Sequence, residues 1–155
     1  MITGTTTLAI RTLLYLAKNT TIVTPPRRIA EELGESPTYL AKVCGHLVRS
    51  GLLRAEKGVK GGVQLGRAPA EITLLAIVEA CQGPIVGSYC RTECDASLTC
   101  AYHRAAQQLQ QAIVAVLSKW TLAQLMKPPR TGVRPPSGLV CVMTGAAQPH
   151  YGRAS

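Results

Sequence analysis

The chain has 155 residues, about one ordinary domain, and 46% are hydrophobic. Aromatics make up 4% and Phe is absent, so Leu, Ile, Val and Ala must fill the core. The formal net charge is +9, and residues 1–70 hold ten Lys/Arg against four Glu, so +6 of the surplus lies there. That surplus points to a polyanionic partner, nucleic acid before membrane, or serves only solubility. Met1–Thr7 is polar and Arg11 interrupts the apolar run that follows, so no signal peptide is expected. No apolar stretch of about 18 residues is present, so neither a transmembrane helix nor a membrane partner is expected, and a cytoplasmic location follows. A single Asp and three scattered His offer no triad or acid–base pair, so an enzyme is not expected. Six Cys in a cytoplasmic chain are more often metal-binding, redox-active or buried than disulfide-bonded.

In chain order, Thr7–Asn19 reads as a helix with Leu8, Ile10, Leu13, Leu14 and Ala17 mostly on one side. Thr24, Pro25 and Pro26 form a helix start, a hydroxyl cap followed by Pro, and Arg27–Leu33 follows as a short helix that buries Ile29 and Leu33 and ends at Gly34. Ser36 is expected to cap a third helix with Pro37 in its first turn. Leu40, Val43, Cys44, Leu47 and Val48 form its apolar stripe, opposite Thr38, Lys42, Gly45, His46 and Arg49. Gly51 stands where a left-handed cap belongs. Leu52–Lys57 and Val63–Leu65 read as strands around a flexible basic turn, Gly58 to Gly62. Thr73–Gln82 reads as a fourth helix and residues 83–99 as a loop. A long helix runs from Cys100 to Lys119, extended by a further turn over Thr121–Met126. Its apolar positions include Leu109, Ile113, Val116, Leu117 and Trp120. Pro128, Pro129, Pro135 and Pro136 break any pattern, so 128–155 reads as a flexible tail.

Two short helices, a tight turn and a β-hairpin describe a winged helix-turn-helix, whose second helix enters the major groove. Small or polar residues near that helix's start let the backbone approach base edges, and Pro37, Thr38, Ala41 and Lys42 meet that need. The helix N-terminus offers free N–H groups to phosphate. The Lys57–Gly62 turn is the wing: Lys57 and Lys60 meet phosphate or the minor groove, and its glycines allow close approach to DNA. Arg28, Ser36 and Tyr39 complete the candidate DNA-facing set. His46 reads as a surface residue and Cys44 as core filling.

Cys90, Cys94, Cys100 and His103 form C-x3-C-x5-C-x2-H. Three soft thiolates and an imidazole within 14 residues can converge on one site. Cys100 and His103 lie one turn apart at a helix start, with Arg91 and Arg104 near to stabilise thiolate charge. The chemistry permits tetrahedral zinc as readily as iron–sulfur, or unligated thiols. Glu93 is a spare ligand, Cys81 reads as packing, and Cys141 lies in the tail.

Four stretches together resemble the Rrf-two (Rrf2) family of bacterial winged-helix regulators over roughly residues 1–127. They are Ser36-Pro37-Thr38-Tyr39-Leu40, Leu47–Leu53, Lys57–Gly62 and Ala68–Leu74. The family includes the iron–sulfur assembly regulator and the nitric-oxide-sensing repressor. The resemblance implies that Thr38 and Lys42 face bases, that Tyr39 seats the helix, and that Lys57 stands where some members place a minor-groove Arg. Val63 replaces an aromatic common there. It further implies that Cys90, Cys94 and Cys100 hold an iron–sulfur cluster, with 2Fe–2S favoured over 4Fe–4S. His103 stands at the assembly regulator's His ligand, whereas Thr5-Thr6-Thr7 lacks the carboxylate that some nitric-oxide sensors supply from a partner. The spacing between the first two Cys is shorter than is common in the family.

The expected architecture is mainly α. Residues 1–82 form the winged helix-turn-helix, 83–99 the metal-cluster loop, 100–127 a long dimerisation helix and 128–155 a tail. The expected function is a sequence-specific DNA-binding transcriptional regulator, a repressor before an activator, that acts as a homodimer on a palindromic operator in double-stranded DNA under control of an iron–sulfur cluster sensing redox, nitric oxide or iron–sulfur status. A cluster-free thiol- or zinc-based regulator and a small electron-transfer protein are the rivals.

Overall fold

The computed structural model describes residues 2–18, 22–58, 61–85 and 100–127. In chain order the elements are α1 (Gly4–Lys18), α2 (Pro26–Leu33), α3 (Pro37–Arg49), β1 (Leu53–Glu56), β2 (Gly62–Leu65), α4 (Leu74–Gln82), α5 (Ala101–Lys119) and α6 (Leu122–Leu125). The architecture is mainly helical, a winged helix with a two-stranded antiparallel wing and a long helix toward its C-terminal end. The expected tail, 128–155, lies outside the described residues.

α1 starts at Gly4, three residues before the expected start at Thr7. Its first turn is polar, and Thr3 holds it by accepting the Thr6 amide on Oγ1 at 3.3 Å and the Thr7 amide on its carbonyl at 2.9 Å. Leu8, Ala9, Ile10, Leu13, Leu14, Leu16 and Ala17 are all buried, so α1 is the central helix rather than an amphipathic one. Thr12, also buried, donates its hydroxyl to the Leu8 carbonyl at 2.8 Å. Around α1 the core gathers Ile29, Leu40, Leu47, Leu52, Ile72, Ile77 and Leu122, all fully buried. Ile29 is the buried anchor of α2, and Leu33 is half-buried against the same core.

Two expected caps are not made. Thr24 does not cap α2; Pro25 occupies the cap position without a side-chain bond. Thr24 instead pairs with Val63 of the wing through two backbone bonds of 3.0 and 2.9 Å, and its hydroxyl turns to the Ile22 carbonyl. Ser36 precedes α3, but its hydroxyl makes no cap bond. The turn before α3 is set from the other side: Gly34, at φ 67, lets the Glu35 amide reach the Ala30 carbonyl at 2.9 Å and its own amide reach Glu31. The same pair of bonds closes α3 around Gly51, from Leu52 to Leu47 and from Gly51 to Val48.

The wing pairs Leu53 with Leu65, Arg54 with Gln64, Ala55 with Val63 and Glu56 with Gly62. Two of its glycines serve the chain's own packing rather than approach to DNA. A Cβ on Gly62 would meet the Thr24 carbonyl at 2.5 Å, and one on Gly61 the Glu56 carbonyl oxygen at 2.4 Å.

The turn expected to extend the long helix is a separate element. The backbone is extended at Trp120, and Thr121 with Gln124 forms a capping box that starts α6 afresh. The Leu74 amide donates to the Trp120 carbonyl and the Leu122 amide to the Ile72 carbonyl, each at 2.8 Å. Leu122 thereby enters the winged-helix core. α5 itself contains no buried residue.

Candidate nucleic-acid interface and metal-ligand end

α3 buries Leu40, Val43, Cys44 and Leu47 and turns its other side outward. Ser36, Pro37, Thr38, Ala41 and Lys42 are exposed together around its first turn. Tyr39 is 37% exposed, and its hydroxyl lies 3.0 Å from Oγ1 of Thr5 on α1. Arg28 on α2 is exposed, and so is Lys57 after β1. Lys60 lies outside the described residues. No side-chain cap bond from Ser36 occupies the first-turn amides of α3, N–H groups of the kind that meet an anion at a helix N-terminus. On the same helix Arg49 lies 3.0 Å from Nδ1 of half-buried His46.

Arg11, which the sequence shows only as a break in an apolar run, belongs to the architecture of this surface. It ion-pairs with Glu35 between α2 and α3 at 2.7 Å. No local pattern signals that pairing, because its partners are 24 residues apart.

Of the candidate metal ligands, Cys90 and Cys94 lie outside the described residues, as do Glu93 and Cys141. Cys100 and His103 sit at the start of α5. Cys100 is the N-cap rather than a helical residue, and its exposed Sγ accepts the His103 amide at 3.4 Å. The sulfur thus faces the partial positive charge of a helix N-terminus, the setting that suits a metal-bound thiolate. His103 is half-buried one turn on. A soft sulfur and an imidazole at one helix end match the donor types of both an iron–sulfur and a zinc site.

The other described cysteines suit this role poorly. Burial pushes the Cys44 thiol up to about 11, and it packs in the core. Burial also raises the thiol of Cys81, partly offset by a hydrogen bond with Thr6. Both therefore favour the neutral thiol, which is a weak ligand.

Large apolar side chains are exposed along α5 and at its C-cap: Leu109 is 63% exposed, Val116 58% and Trp120 46%. Beside it a cavity of about 490 Å³ is lined by Ile2, Val78, Gln82, Ile85, Ile113 and Val116, among others. Among the described residues no helix is long and apolar enough to cross a membrane.

Residues 2–128 match the family model Rrf2, described as an iron-dependent transcriptional regulator. Protein aau3 of Rhizobium meliloti is 30% identical over 130 residues, covering 81% of this chain and 84% of that protein. The HTH-type transcriptional regulator NsrR of Geobacillus kaustophilus is 29% identical, covering 81% and 89%. IscR of Vibrio atlanticus, also an HTH-type transcriptional regulator, is 29% identical; the match takes in 66% of this chain and 61% of that protein. Among solved structures, CymR, the global cysteine regulator of B. subtilis, superposes with a TM-score of 0.66 at 26% identity, covering 81% and 95% of the two chains. The oxidized form of Staphylococcus aureus CymR gives 0.65 at 27%, covering 84% and 99%.

Proposed function

Given that the chain belongs to the Rrf2 family of transcriptional regulators, we propose that it is a repressor that binds a palindromic operator as a homodimer, under control of an iron–sulfur cluster held by Cys90, Cys94, Cys100 and His103. α3 is the recognition helix in this reading. Thr38 and Lys42 face bases, Pro37 and Ala41 allow close approach, and Ser36, Arg28, Lys57 and Lys60 meet the backbone. The exposed apolar side of α5 supports pairing of two chains, which would set two recognition helices about one DNA turn apart.

The observation that carries the cluster reading is the start of α5. An exposed cysteine sulfur lies there on a helix N-terminus, with an imidazole one turn away, in a chain whose family model is described as iron-dependent. A bound cluster supplies a centre whose charge and integrity respond to redox state. A coupling of about 1–3 kcal/mol between that centre and α3 would change operator affinity roughly 5- to 150-fold.

A second reading, a cluster-free thiol regulator, is favoured by the likeness to the cysteine regulator CymR and its oxidized form and by the exposed free thiol of Cys100.

Purification without oxygen separates the two. The cluster reading expects a visible chromophore that Cys90→Ala, Cys94→Ala and Cys100→Ala each abolish and that Cys81→Ala and Cys44→Ala leave intact. His103→Ala should retain part of it at a lower reduction potential, since His ligation raises the potential relative to Cys. A colourless protein whose operator binding still changes on oxidation would establish the thiol reading instead. Stoichiometric zinc would establish a zinc site.

A further inference from the structure

Two adjacent residues at the start of α1 hold two different helices. Thr5 Oγ1 lies 3.0 Å from the Tyr39 hydroxyl on α3. Thr6, fully buried, accepts the side-chain amide of Gln82 on α4 at 2.6 Å, and its hydroxyl lies 3.2 Å from that of Thr3. Gln82 is the last residue of α4, and Gly83, its C-cap, has a φ of 83°; in sequence the segment that carries Cys90 and Cys94 follows. Two hydrogen bonds, linked only through the adjacent α1 residues Thr5 and Thr6, therefore join the end of α4 to the first turn of α3. α4 also packs against α3 directly, but apolar packing is non-directional and fixes no donor–acceptor alignment. Hydrogen bonds do not: one that loses a few tenths of an ångström or its alignment weakens steeply. A buried Thr6 hydroxyl that loses Gln82 keeps Thr3 and Cys81 beside it but gives up its shortest bond.

We propose that the pairs Gln82–Thr6 and Thr5–Tyr39 form a relay through which the state of the cysteine segment sets the position of the recognition helix. Thr6 and Gln82 are positioning residues in this relay and do not touch DNA. Tyr39, which is exposed in the recognition surface, is its output. The proposal rests on the reading that the cysteine segment governs operator binding.

The test compares operator Kd for the full chain in two states: isolated without oxygen, and stripped with a chelator while the thiols are kept reduced. In the wild type the two values should differ roughly 5- to 150-fold. Thr6→Val and Gln82→Met should bring the ratio to within about threefold of one, whereas Thr6→Ser, which restores the hydroxyl, should keep it. The double variant Gln82→Met/Tyr39→Phe should be no worse than the more affected single variant, because both lie on one path. Wild-type ratios in Thr6→Val and Gln82→Met would overturn the relay. A wild-type ratio of one would overturn the parent reading, and the relay then stands or falls on amide exchange. Gln82→Met should speed amide exchange in residues 3–7 and 38–42 alike, and unchanged exchange at 38–42 would overturn it whatever the cysteines do.

Discussion

Arg11 Nη1 lies 2.7 Å from Glu35 Oε1, and the same guanidinium donates through Nη2 to the Leu33 carbonyl at 2.8 Å. One side chain on α1 thus fixes both the end of α2 and Glu35 in the turn that leads to α3. The pair is mostly shielded, with the side chains 19% and 30% exposed. Arg11→Met keeps the aliphatic stem but leaves a carboxylate and a carbonyl short of a donor, so it should cost about 1–3 kcal/mol. Urea denaturation measures that loss. A midpoint equal to the wild type's would show that the pair adds nothing to stability.

The wing makes a steric demand that its sequence disguises as flexibility. Gly62 stands opposite Glu56 and against Thr24, where an added Cβ would lie 2.5 Å from backbone. Backbone cannot swing aside as a side chain can. Gly62→Ala should therefore destabilise the domain by about 1–3 kcal/mol, as overpacking does, and displace the wing. Circular dichroism melts and operator binding check this together. A variant that melts and binds like the wild type would place the wing elsewhere.

The elements were legible wherever hydrophobic period and punctuation agree. The stripe of α3, the glycines after α2 and α3, and the two strands all appear within a residue or two of where they are expected. The misses share a cause, which is partners distant in sequence. Thr24 looks like a cap because Pro follows it, but its backbone is claimed by Val63. Trp120 looks like a continuation of α5, but Leu74 claims its carbonyl and Leu122 is drawn into the core. α1 looks amphipathic because its polar buried residues, Thr6 and Thr12, are satisfied inside. The candidate site is legible to a different degree. The residue types at Cys100 and His103 announce ligand chemistry, yet the role of Cys100 as an N-cap depends on where α5 begins. Cys90 and Cys94 lie outside the described residues.

Cys44 offers a pH signature. Burial, its largest influence, pushes the thiol from 9.0 to about 11. Below pH 9 the thiol is protonated in both folded and unfolded chains, and its contribution to stability is fully present. Between pH 9 and 11 the unfolded chain releases the proton and the folded one keeps it, so stability falls as pH rises, by up to roughly 1.4 kcal/mol per unit. Denaturation at pH 7.5, 9 and 10.5 should show a steeper decline for the wild type than for Cys44→Ala, which starts lower but lacks this thiol. Parallel declines would mean that the Cys44 thiol is not held neutral by the fold.

Two lysines on the candidate DNA surface should behave differently. Lys42 lies one turn into α3 beside Ala41, at a position proposed to read bases, so Lys42→Ala should relax sequence preference by about 1–3 kcal/mol at one base position. Lys57, exposed beside the wing, should act on the phosphate backbone. Lys57→Ala should weaken operator and random DNA about equally and lower the salt slope by roughly one. Competition binding across a set of operator variants at several salt concentrations distinguishes the two. If Lys42→Ala weakened all sequences equally, α3 would not be reading bases at that position.

The long helix tests the assembly. α5 packs against α4 but has no buried residue: Leu109 and Val116 are exposed on it, Ile113 is half-buried between them, Trp120 is exposed at its C-cap, and that much apolar surface in water is costly. A second copy of the same helix would cover it and, by two-fold symmetry, present two recognition helices to the two halves of an operator. Ile113→Asp places a carboxylate in the middle of that surface. Burying it unpaired costs several kcal/mol, whereas leaving it in water costs nothing, so the variant should sediment as a monomer while its circular dichroism stays helical. Operator affinity should drop far more than affinity for a half-site, because the second half-site contact is lost and the first is kept. A wild-type chain that is monomeric at micromolar concentration, or an Ile113→Asp variant that remains dimeric, would show that chain pairing does not use this face of α5.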